Sequence, residues 1–563
     1  MKKTCKSILF LIIIISIFAS ILSGCSSNGR NNTDTQEKLP SFEANENMTE
    51  YEAHCGIYTW MSFSTKKYPE NADVPKNREC DFELDICKNE SESCQISLKS
   101  LAEYPAVSLV CESSYEGITV DLFEEYTVKT NNKIMYPDAL VPLYAVEKTE
   151  LKADTVKNYF IRFTTGTDTE AGEYTYVLKL KTEKGTVLHT YSVTLVVHNV
   201  VLPETATLRT AVGLSIKSLA KAYLITATAT DPLVGSFLER ATEIYVKYYE
   251  FLLDHKISAI ELPYDILDDR ADKYMSDPRV TGFLVNTDVS DEKLKAYYDK
   301  LCTNEEWLNK AYAYPIDEPN TKEALTNVLN ESERIRSICP KLKINGAFFT
   351  NIDYDGIRDS VDIMEESHDI ICPKIANWNV NDRNYGCGIQ DVLGTKGSFV
   401  ERIKKMKENG MEIWSYVCVS PRGQYLNFMV DDPGINHRRI FWQQYTLGST
   451  GFLYWSCNWW NDIADPWKQM NTVMWADVTA YGDGSLLYNG NKVGVDGACG
   501  SIRLEAFRDG IEDYDLIMMA YEVLGEKWIN ARVSRANSSV TSDNYLNTIR
   551  SEIIKTLSQG NGK

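Results

Sequence analysis

The sequence predicts an α/β protein, in which a C-terminal (β/α)8 TIM barrel follows an N-terminal antiparallel β-sandwich. Two patterns in the 563-residue chain support this fold class. Up to about residue 203, short alternating segments rich in Val, Tyr and Thr are separated by turn residues, which is typical of antiparallel strands. From about residue 205, strand-like runs alternate with amphipathic stretches of helical period, which indicates parallel strands covered by helices.

The composition is that of a globular protein with a large core, because hydrophobic residues make up 44% of the chain and charged residues 25%. The formal net charge of −20 argues against a protein that follows nucleic acid phosphates. Aromatic residues reach 11%, which is common where flat apolar rings meet ligands. Because of the acidic net charge, we expect no nucleic acid partner.

Residues 1–25 are predicted to be a lipoprotein signal peptide. Three lysines precede an apolar run over 8–22, which is shorter than the ~20 residues that a spanning helix needs. The run ends in Leu22-Ser23-Gly24-Cys25, which resembles a bacterial lipoprotein box, so Cys25 is predicted to be the lipidated first mature residue. An uncleaved anchor helix is the alternative. Both place the protein at the extracellular face of the bacterial cell membrane, behind a flexible tether over 26–48.

The cysteines and histidines do not indicate a metal site. None of the 14 cysteines forms a CxxC pair, and of the six histidines only His54 neighbours a cysteine. A zinc site is therefore poorly supported, and we expect no metal. Outside the cell, disulfides and buried free thiols are both open alternatives, and the closest-spaced group is Cys80, Cys87, Cys94 and Cys111.

Residues 49–203 are predicted to form the β-sandwich, which ends at Leu202-Pro203. No stretch in this part has a long helical period. The clearest predicted strands lie at 93–98, 107–111, 117–123, 158–165, 174–182 and 187–197.

Residues 204–530 are predicted to form the barrel, because eight strand-like runs are each followed by a helical or loop segment. A doubly wound sheet is the alternative, but no Gly-rich βα turn supports it. A C-terminal helical tail is predicted over 531–563. The predicted strands are 208–216, 257–263, 280–286, 311–317, 342–348, 369–375, 411–420 and 451–457, and the predicted helices include 235–254, 291–310, 321–338, 399–409 and 436–448.

The fourth predicted strand runs into Asp317-Glu318-Pro319, and active sites of barrels lie at the carboxyl ends of the strands. Two adjacent carboxylates repel each other, which favours one of them in its neutral form. A neutral acid beside a charged carboxylate is what glycosidic cleavage requires. Asp317 and Glu318 are therefore the candidate catalytic residues, and a solvated acidic turn is the alternative interpretation.

Several further residues at the predicted strand ends could bind a substrate. Period two places Tyr416 on one face of the seventh strand with Trp414 and Cys418, where its hydroxyl could meet a bound ligand. Tryptophan rings suit the apolar C–H faces of sugars, although ordinary packing is the alternative for each. Arg438, which follows a predicted exposed His437, could point into the cleft or bridge a carboxylate. The candidate substrate-binding residues are Tyr416, Trp455, Asn458, Trp460, Trp378 and Arg438.

Charge-dense residues 503–514 open a final predicted helix, and such helices are more often structural than catalytic. No GxSxG, HExxH or GxxxxGK[ST] motif is present, so the sequence does not indicate serine hydrolase, zincin or P-loop chemistry.

Together, these stretches resemble glycoside hydrolase family 123, the secreted β-N-acetylgalactosaminidases and their relatives. The resemblance covers roughly 205–525, and the N-terminal part looks like the β-sandwich of the family. The matching residues are Asp317-Glu318-Pro319, Trp442-Gln443-Gln444-Tyr445, Gly451-Phe452-Leu453-Tyr454-Trp455, Gly482-Asp483-Gly484, Arg503-Leu504-Glu505 and Arg508-Asp509-Gly510-Ile511-Glu512-Asp513-Tyr514.

The resemblance implies a retaining exo-glycosidase in which the 2-acetamido oxygen of the sugar attacks the anomeric carbon and forms an oxazolinium ion. It implies that Asp317 stabilises this group and that Glu318 is first the general acid and then the base. No metal or organic cofactor is implied. The expected partners are a glycan or glycoconjugate and, through the lipid anchor, the membrane. A non-catalytic glycan-binding lipoprotein, or a glycosidase for another sugar, is the alternative.

Overall fold

A computed structural model describes residues 37–43, 48–130, 134–349, 351–375, 399–421, 425–461, 465–468, 470, 472–475, 478–537 and 542–560. The chain divides into two units, Met1–Pro40 and Ser41–Lys563. Among the described residues, no helix combines the length and the apolar character that crossing a bilayer requires. Two five-stranded sheets, a seven-stranded parallel sheet and a C-terminal group of helices make up the larger unit.

The two five-stranded sheets follow helix α1 (Glu50–Cys55) and fit the predicted sandwich. Each predicted strand overlaps an observed one, and buried and less buried residues alternate along the long strands, as the period of two requires. The first sheet has the order β1 (Ile57–Phe63), β3 (Ser91–Ser100), β8 (Val156–Thr165), β5 (Ile118–Lys129), β6 (Met135–Pro142); the second has the order β2 (Asp81–Lys88), β10 (Val187–Val201), β9 (Gly172–Thr182), β4 (Tyr104–Cys111), β7 (Thr149–Leu151).

One pair in the sandwich departs from the predicted antiparallel pattern, because β2 and β10 run parallel. Consecutive strands β1 and β2 belong to different sheets, so no hairpin sets the direction of β2. The sandwich is therefore mainly, but not wholly, antiparallel.

The seven-stranded sheet is parallel and nearly closes into the predicted barrel. Its strands match seven of the eight predicted runs and are shorter at most ends. Their order is β11 (Arg209–Val212), β17 (Gly451–Tyr454), β16 (Glu412–Val417), β15 (Ile370–Pro373), β14 (Lys343–Phe348), β13 (Ala311–Ala313), β12 (Phe283–Val285).

The remaining predicted strand, 257–263, is a single bridge between the two edges of this sheet rather than a full strand. The N–H of Ile260 donates to the carbonyl of Val212 at 2.9 Å, and the N–H of Leu284 donates to the carbonyl of Ile260 at 2.8 Å. Pro263 has no N–H to extend the ladder, which limits the pairing at this position. The segment around Ile260 thus joins β11 to β12 and brings the ring close to eight members.

Helices on the outside of the barrel connect its strands, and most follow the predicted amphipathic stretches. The predicted helix 291–310 is two helices, because Asn304 leaves the helical conformation and its side chain caps the second one. The described helices of this part are α2 (Ile216–Ala222), α3 (Ser236–Asp254), α4 (Ala271–Met275), α5 (Asp291–Leu301), α6 (Glu305–Lys310), α7 (Lys322–Ile338), α8 (Ser360–Ser367), α9 (Phe399–Glu408) and α10 (Gly434–Leu447).

Alternate side chains of the barrel strands point into its interior, where they form a separate cluster. Trp414 and Tyr416 of β16 belong to it, and partly buried Cys418 packs against it, so the three share one face as predicted. The cluster also contains Ala211, Tyr312, Ala347, Ile370, Cys372 and Leu453. The barrel is therefore filled by side chains, and a ligand must bind above them, at the loops after the strands.

Three C-terminal helices lie between the barrel and the sandwich: α11 (Ile502–Leu524), α12 (Glu526–Ala536) and α13 (Asp543–Ser558). Apolar residues of α13, such as Ile549, share one buried cluster with Cys87 of β2 and Val200 of β10. The segment that the sequence predicted as a helical tail is thus packed against the sandwich.

A buried set of charged side chains, here called the interface ion cluster, joins these parts. Arg438 donates to Glu92 of β3 at 3.0 Å and to Asp513 of α11 at 2.6 Å, and its side chain is 2% exposed. Arg438 therefore binds carboxylates in the interior and does not reach a cleft, which corrects its assignment to substrate binding. The cluster comprises Glu90, Glu92, Arg438, Glu505, Arg508, Asp509, Glu512, Asp513 and Arg550.

Candidate active site

The chain leaves β13 after Ala313 and turns through Asp317 and Glu318 before α7 begins. Thr321 is the N-cap of α7, and its side chain accepts from the N–H of Ala324, so neither carboxylate is needed to cap the helix. Glu318 has φ of 41°, in the left-handed region that few residues other than glycine adopt. Backbone strain of this kind is common at functional turns.

Each carboxylate of this pair is held by its own tyrosine. The hydroxyl of Tyr314 donates to Oδ1 of Asp317 at 2.7 Å, and the hydroxyl of Tyr416 donates to Oε1 of Glu318. Burial, together with the nearby carboxylate charge, raises the pKa of each tyrosine well above its ordinary value, so both remain donors. Asp317 is exposed, whereas the Glu318 side chain is 31% exposed, so a ligand can reach both groups.

Lys374 completes the charged part of the site and was not among the sequence candidates. Its Nζ lies 3.8 Å from Oε1 of Glu318 and donates to Oγ of Ser420 at 3.2 Å. Tyr314 was also missed. Both lie just after the observed strands β13 and β15, inside the predicted runs 311–317 and 369–375, so a search of these runs for lysine and tyrosine as well as for carboxylates and tryptophans would have found them.

A recess of about 320 Å³ lies where β11 and β17 end. Trp455 and Trp459 line it with their ring centroids 5.3 Å apart, and Lys217 and Glu261 add charged groups. The indole N–H of Trp455 donates to Oδ1 of Asp483 at 3.1 Å, which orients the ring. Trp455 thus lies at the carboxyl ends of the barrel strands, as its assignment required.

Two of the predicted binding residues are used inside the protein instead. Asn458 is fully buried, and its amide exchanges hydrogen bonds with the backbone N–H and carbonyl of Ser215 at 2.8 and 3.0 Å. Trp460 is 2% exposed and packs in the core, with its ring centroid 6.3 Å from that of Tyr248. Neither side chain offers a free face to a ligand, because the loop after β17 folds back over the barrel. Trp378 and Cys25 lie outside the described residues.

His437 is likewise buried, not exposed at the start of its helix as expected. Its Nε2 lies 2.8 Å from Nζ of Lys67, and its Nδ1 lies 2.7 Å from the carbonyl oxygen of Asn427. Burial, with the Lys67 charge beside it, holds the pKa of His437 well below its ordinary value. His437 is therefore a neutral link between the sandwich and the loop after β16.

The described residues include neither a cluster of metal-ligating side chains nor a disulfide. In this part of the chain, no group of three or more His, Cys, Asp or Glu residues has the arrangement of a metal site. The eleven described cysteines are free thiols, so the closely spaced group near the N-terminus forms no disulfide among its described members. Burial raises the pKa of the Cys372 thiol below the carboxylate pair well above its usual range.

A comparison of the sequence with family models adds the decisive observation. Residues 286–520 match the model of the glycoside hydrolase 123 catalytic domain. They belong to this glycoside hydrolase family. The matched part contains the carboxylate pair, Lys374, Tyr416 and Trp455, and a glycoside hydrolase domain acts on a glycan.

One solved structure supports this fold. The structure of a family 123 glycoside hydrolase from Clostridium perfringens, analysed for glycolipid glycan hydrolysis, is similar to this chain with a TM-score of 0.62 and 12% sequence identity. The alignment covers 89% of this chain and 99% of the Clostridium perfringens chain. Two further structures each reach a TM-score of only 0.24. A family 2 glycosyl hydrolase from Bacteroides cellulosilyticus has 10% identity, and the alignment covers 70% of this chain and 45% of that one. A putative β-galactosidase from Bacteroides fragilis has 12% identity, and the alignment covers 69% of this chain and 54% of that one. None of the curated proteins matches the chain significantly.

Proposed function

We propose that the protein is an exo-glycosidase that releases terminal β-linked N-acetylgalactosamine from glycans by a retaining, substrate-assisted mechanism. One observation carries this proposal. Asp317 and Glu318 are consecutive, open to solvent, and each is held by a different tyrosine at the carboxyl end of the barrel.

The spacing of this pair favours a nucleophile supplied by the substrate. A retaining glycosidase with a carboxylate nucleophile places its two carboxyl groups on opposite sides of the bond, about 5–5.5 Å apart. Consecutive residues on one turn approach a sugar from the same side. If the 2-acetamido oxygen attacks the anomeric carbon instead, both carboxylates can work on that side.

The proposed roles follow from what each residue contacts. Glu318 gives its proton to the leaving oxygen as the glycosidic C1–O bond breaks. The acetamido oxygen forms a new bond to C1, which produces the oxazolinium ion. Asp317 meets the N–H and the positive charge of that ion. Tyr416 holds Glu318 through its hydroxyl, and the half-exposed Trp455 ring offers a flat apolar surface for a sugar ring.

Nitrophenyl glycosides with and without the 2-acetamido group test the activity. We expect hydrolysis of the N-acetylgalactosaminide with retained configuration, and none of the galactoside. A thiazoline analogue of N-acetylgalactosamine should bind far more tightly than the parent sugar, because it resembles the cyclised intermediate. Cleavage of glycosides that lack the acetamido group, or a covalent intermediate on a protein carboxylate, would contradict the mechanism.

Asp317→Asn tests the role of the charge while keeping the shape of the side chain. We expect turnover to fall by about 10²–10³-fold, the usual cost of losing one preorganised charge or donor, with little change in substrate affinity. The thiazoline should bind this variant much more weakly. Asp288→Asn is the matched control, because Asp288 is exposed just beyond the neighbouring strand β12, and it should leave both quantities unchanged.

We also propose that the enzyme is anchored by a lipid on Cys25 and works at the extracellular face of the bacterial membrane. The support is the Leu22-Ser23-Gly24-Cys25 sequence after a short apolar run. Cys25→Ser should release the protein from membranes or block its processing. An intact mass that shows an unmodified mature terminus at another residue would contradict the anchor.

A further inference from the structure

We propose that Lys374 is a positioning residue that holds Glu318 in its ionised form for the second half of the reaction. This inference rests on the proposed function. Lys374 and Tyr416 approach the same carboxylate oxygen of Glu318, Oε1. Among the described residues, none donates a hydrogen bond to Oε2. The two oxygens therefore have different tasks: Oε1 is held, and Oε2 exchanges the proton.

The Lys374 side chain has little freedom to leave this position. The backbone N–H of Lys374 donates to the carbonyl of Phe348 at 3.1 Å, and the backbone of Lys374 forms a parallel bridge with that of Tyr416. Its Nζ lies 4.7 Å from the ring centroid of Phe349 and 5.5 Å from that of Tyr416. The side chain is 8% exposed, so its charge is poorly screened by water.

Glu318 is the only carboxylate in ion-pair range of Lys374 within the described part of the chain. The other polar contact of the ammonium group is the neutral Ser420 hydroxyl. Ser420 in turn lies in a loop that buried Asn427 holds through the carbonyls of Cys418 at 2.9 Å and Pro421 at 2.7 Å. Among the described residues, the positive charge of Lys374 is therefore directed at Glu318.

This charge acts in opposite directions on the two half-reactions. In the first, Glu318 must be protonated so that Oε2 can give its proton to the leaving oxygen. In the second, water attacks C1, the C1–O bond of the oxazolinium ion breaks, and the proton of the water passes to Oε2 of the ionised Glu318. A cation near Oε1 favours the ionised carboxylate. Lys374 thus assists the second step at some cost to the first.

Lys374→Met tests this division. With a dinitrophenyl N-acetylgalactosaminide, whose good leaving group makes the second step limiting, we expect kcat to fall about tenfold. With a natural disaccharide, whose cleavage is limited by the first step, kcat/KM should stay within about threefold of wild type.

Two variants control for structure. Lys374→Arg keeps the charge and should retain most of the activity on the dinitrophenyl substrate. Lys343→Met removes the lysine that pairs with Glu412 at the opposite end of the barrel strands, and it should leave the ratio of the two activities unchanged.

An equal loss on both substrates would overturn the role of Lys374 and leave the proposed function intact. A wild type that cleaves glycosides without the acetamido group equally well would overturn the proposed function, and with it this second-step role.

Discussion

Carboxylates gather in two regions of this protein, the catalytic face of the barrel and the interface ion cluster, and their partners differ. At the catalytic face, one tyrosine hydroxyl holds each carboxylate, and a single lysine lies nearby. In the interface ion cluster, guanidinium groups surround the carboxylates, and Asp513 alone accepts from Arg438, Arg550 and the indole of Trp442.

This difference indicates how the proposed catalytic carboxylates differ from structural ones. Asp513, which accepts from two guanidinium groups and an indole in the interior, is fixed in position and has both oxygens occupied. A carboxylate held through one oxygen by a neutral hydroxyl is oriented but keeps its other oxygen free. The two regions thus differ in the partners and the burial of their carboxylates.

The largest expected effect is at the catalytic face. Glu318→Gln should lower turnover by about 10²–10⁴-fold, with smaller losses for substrates that have a good leaving group. Azide should partly restore the variant and form a glycosyl azide of retained configuration. The free energy of unfolding should change by less than about 0.5 kcal/mol, because the side chain is partly exposed.

The exposed Glu323 in the first turn of α7 provides the control. Glu323→Gln should leave turnover unchanged. Equal losses of Glu318→Gln on good and poor leaving groups would assign the acid to another residue.

The interface ion cluster should respond in the opposite way. Arg438→Met leaves Glu92 and Asp513 with one cation fewer, and we expect a loss of about 3–5 kcal/mol in the free energy of unfolding, measured with denaturant. Any protein that stays folded should keep its KM. Arg439→Met is the matched control, since Arg439 donates to the Ala536 carbonyl and the Asn436 side chain, and it should cost less. A comparable loss for both variants would contradict a special role of the cluster.

Asp515 lies beside this cluster and predicts a smaller, pH-dependent effect. It is fully buried, accepts from the N–H of Thr207 at 2.7 Å, and faces the charge of Lys256. Burial raises its pKa to about 6, above the unfolded value of about 4. The neutral form is therefore favoured in the folded state, and the stability it contributes is lost as pH rises from about 4 to 6.

Asp515→Asn should remove that slope and make the protein about 2–3 kcal/mol more stable at pH 7, because the amide keeps the bond to Thr207 without the charge. Denaturant unfolding between pH 4 and 7 measures this. A variant with the wild-type slope would show that another group produces it.

The smallest expected effect separates two tryptophans of the loop after β17. Trp455→Phe loses the bond to Asp483 but keeps a ring in the recess, so KM should rise only a few-fold, which is about 1 kcal/mol, with unchanged stability. Trp460→Phe should leave KM unchanged and lower the thermal midpoint, because Trp460 lies in the core. The reverse pattern would move the binding surface to Trp460.

Which charged residues fail to reach the cleft could not be predicted from local sequence. Arg438 lies in the first turns of α10, the helix that follows strand β16, where a cleft residue is equally plausible, and its partner Glu92 lies 346 positions away. Asn458 and Trp460 follow the same strand as Trp455, but the loop turns them inward. Only Trp455 of these three faces the recess.

The sequence by itself determined the class of both regions, because strand and helix periods are local and the carboxyl ends of barrel strands are known places for catalytic groups. From this rule it predicted Asp317, Glu318 and Tyr416 as site residues. Only the tertiary structure decided that Tyr416 and Lys374 meet at one oxygen of Glu318, and that the charged motif of α11 binds the sandwich. The physical reason is that burial and partners depend on contacts between distant segments, which no short stretch of sequence encodes.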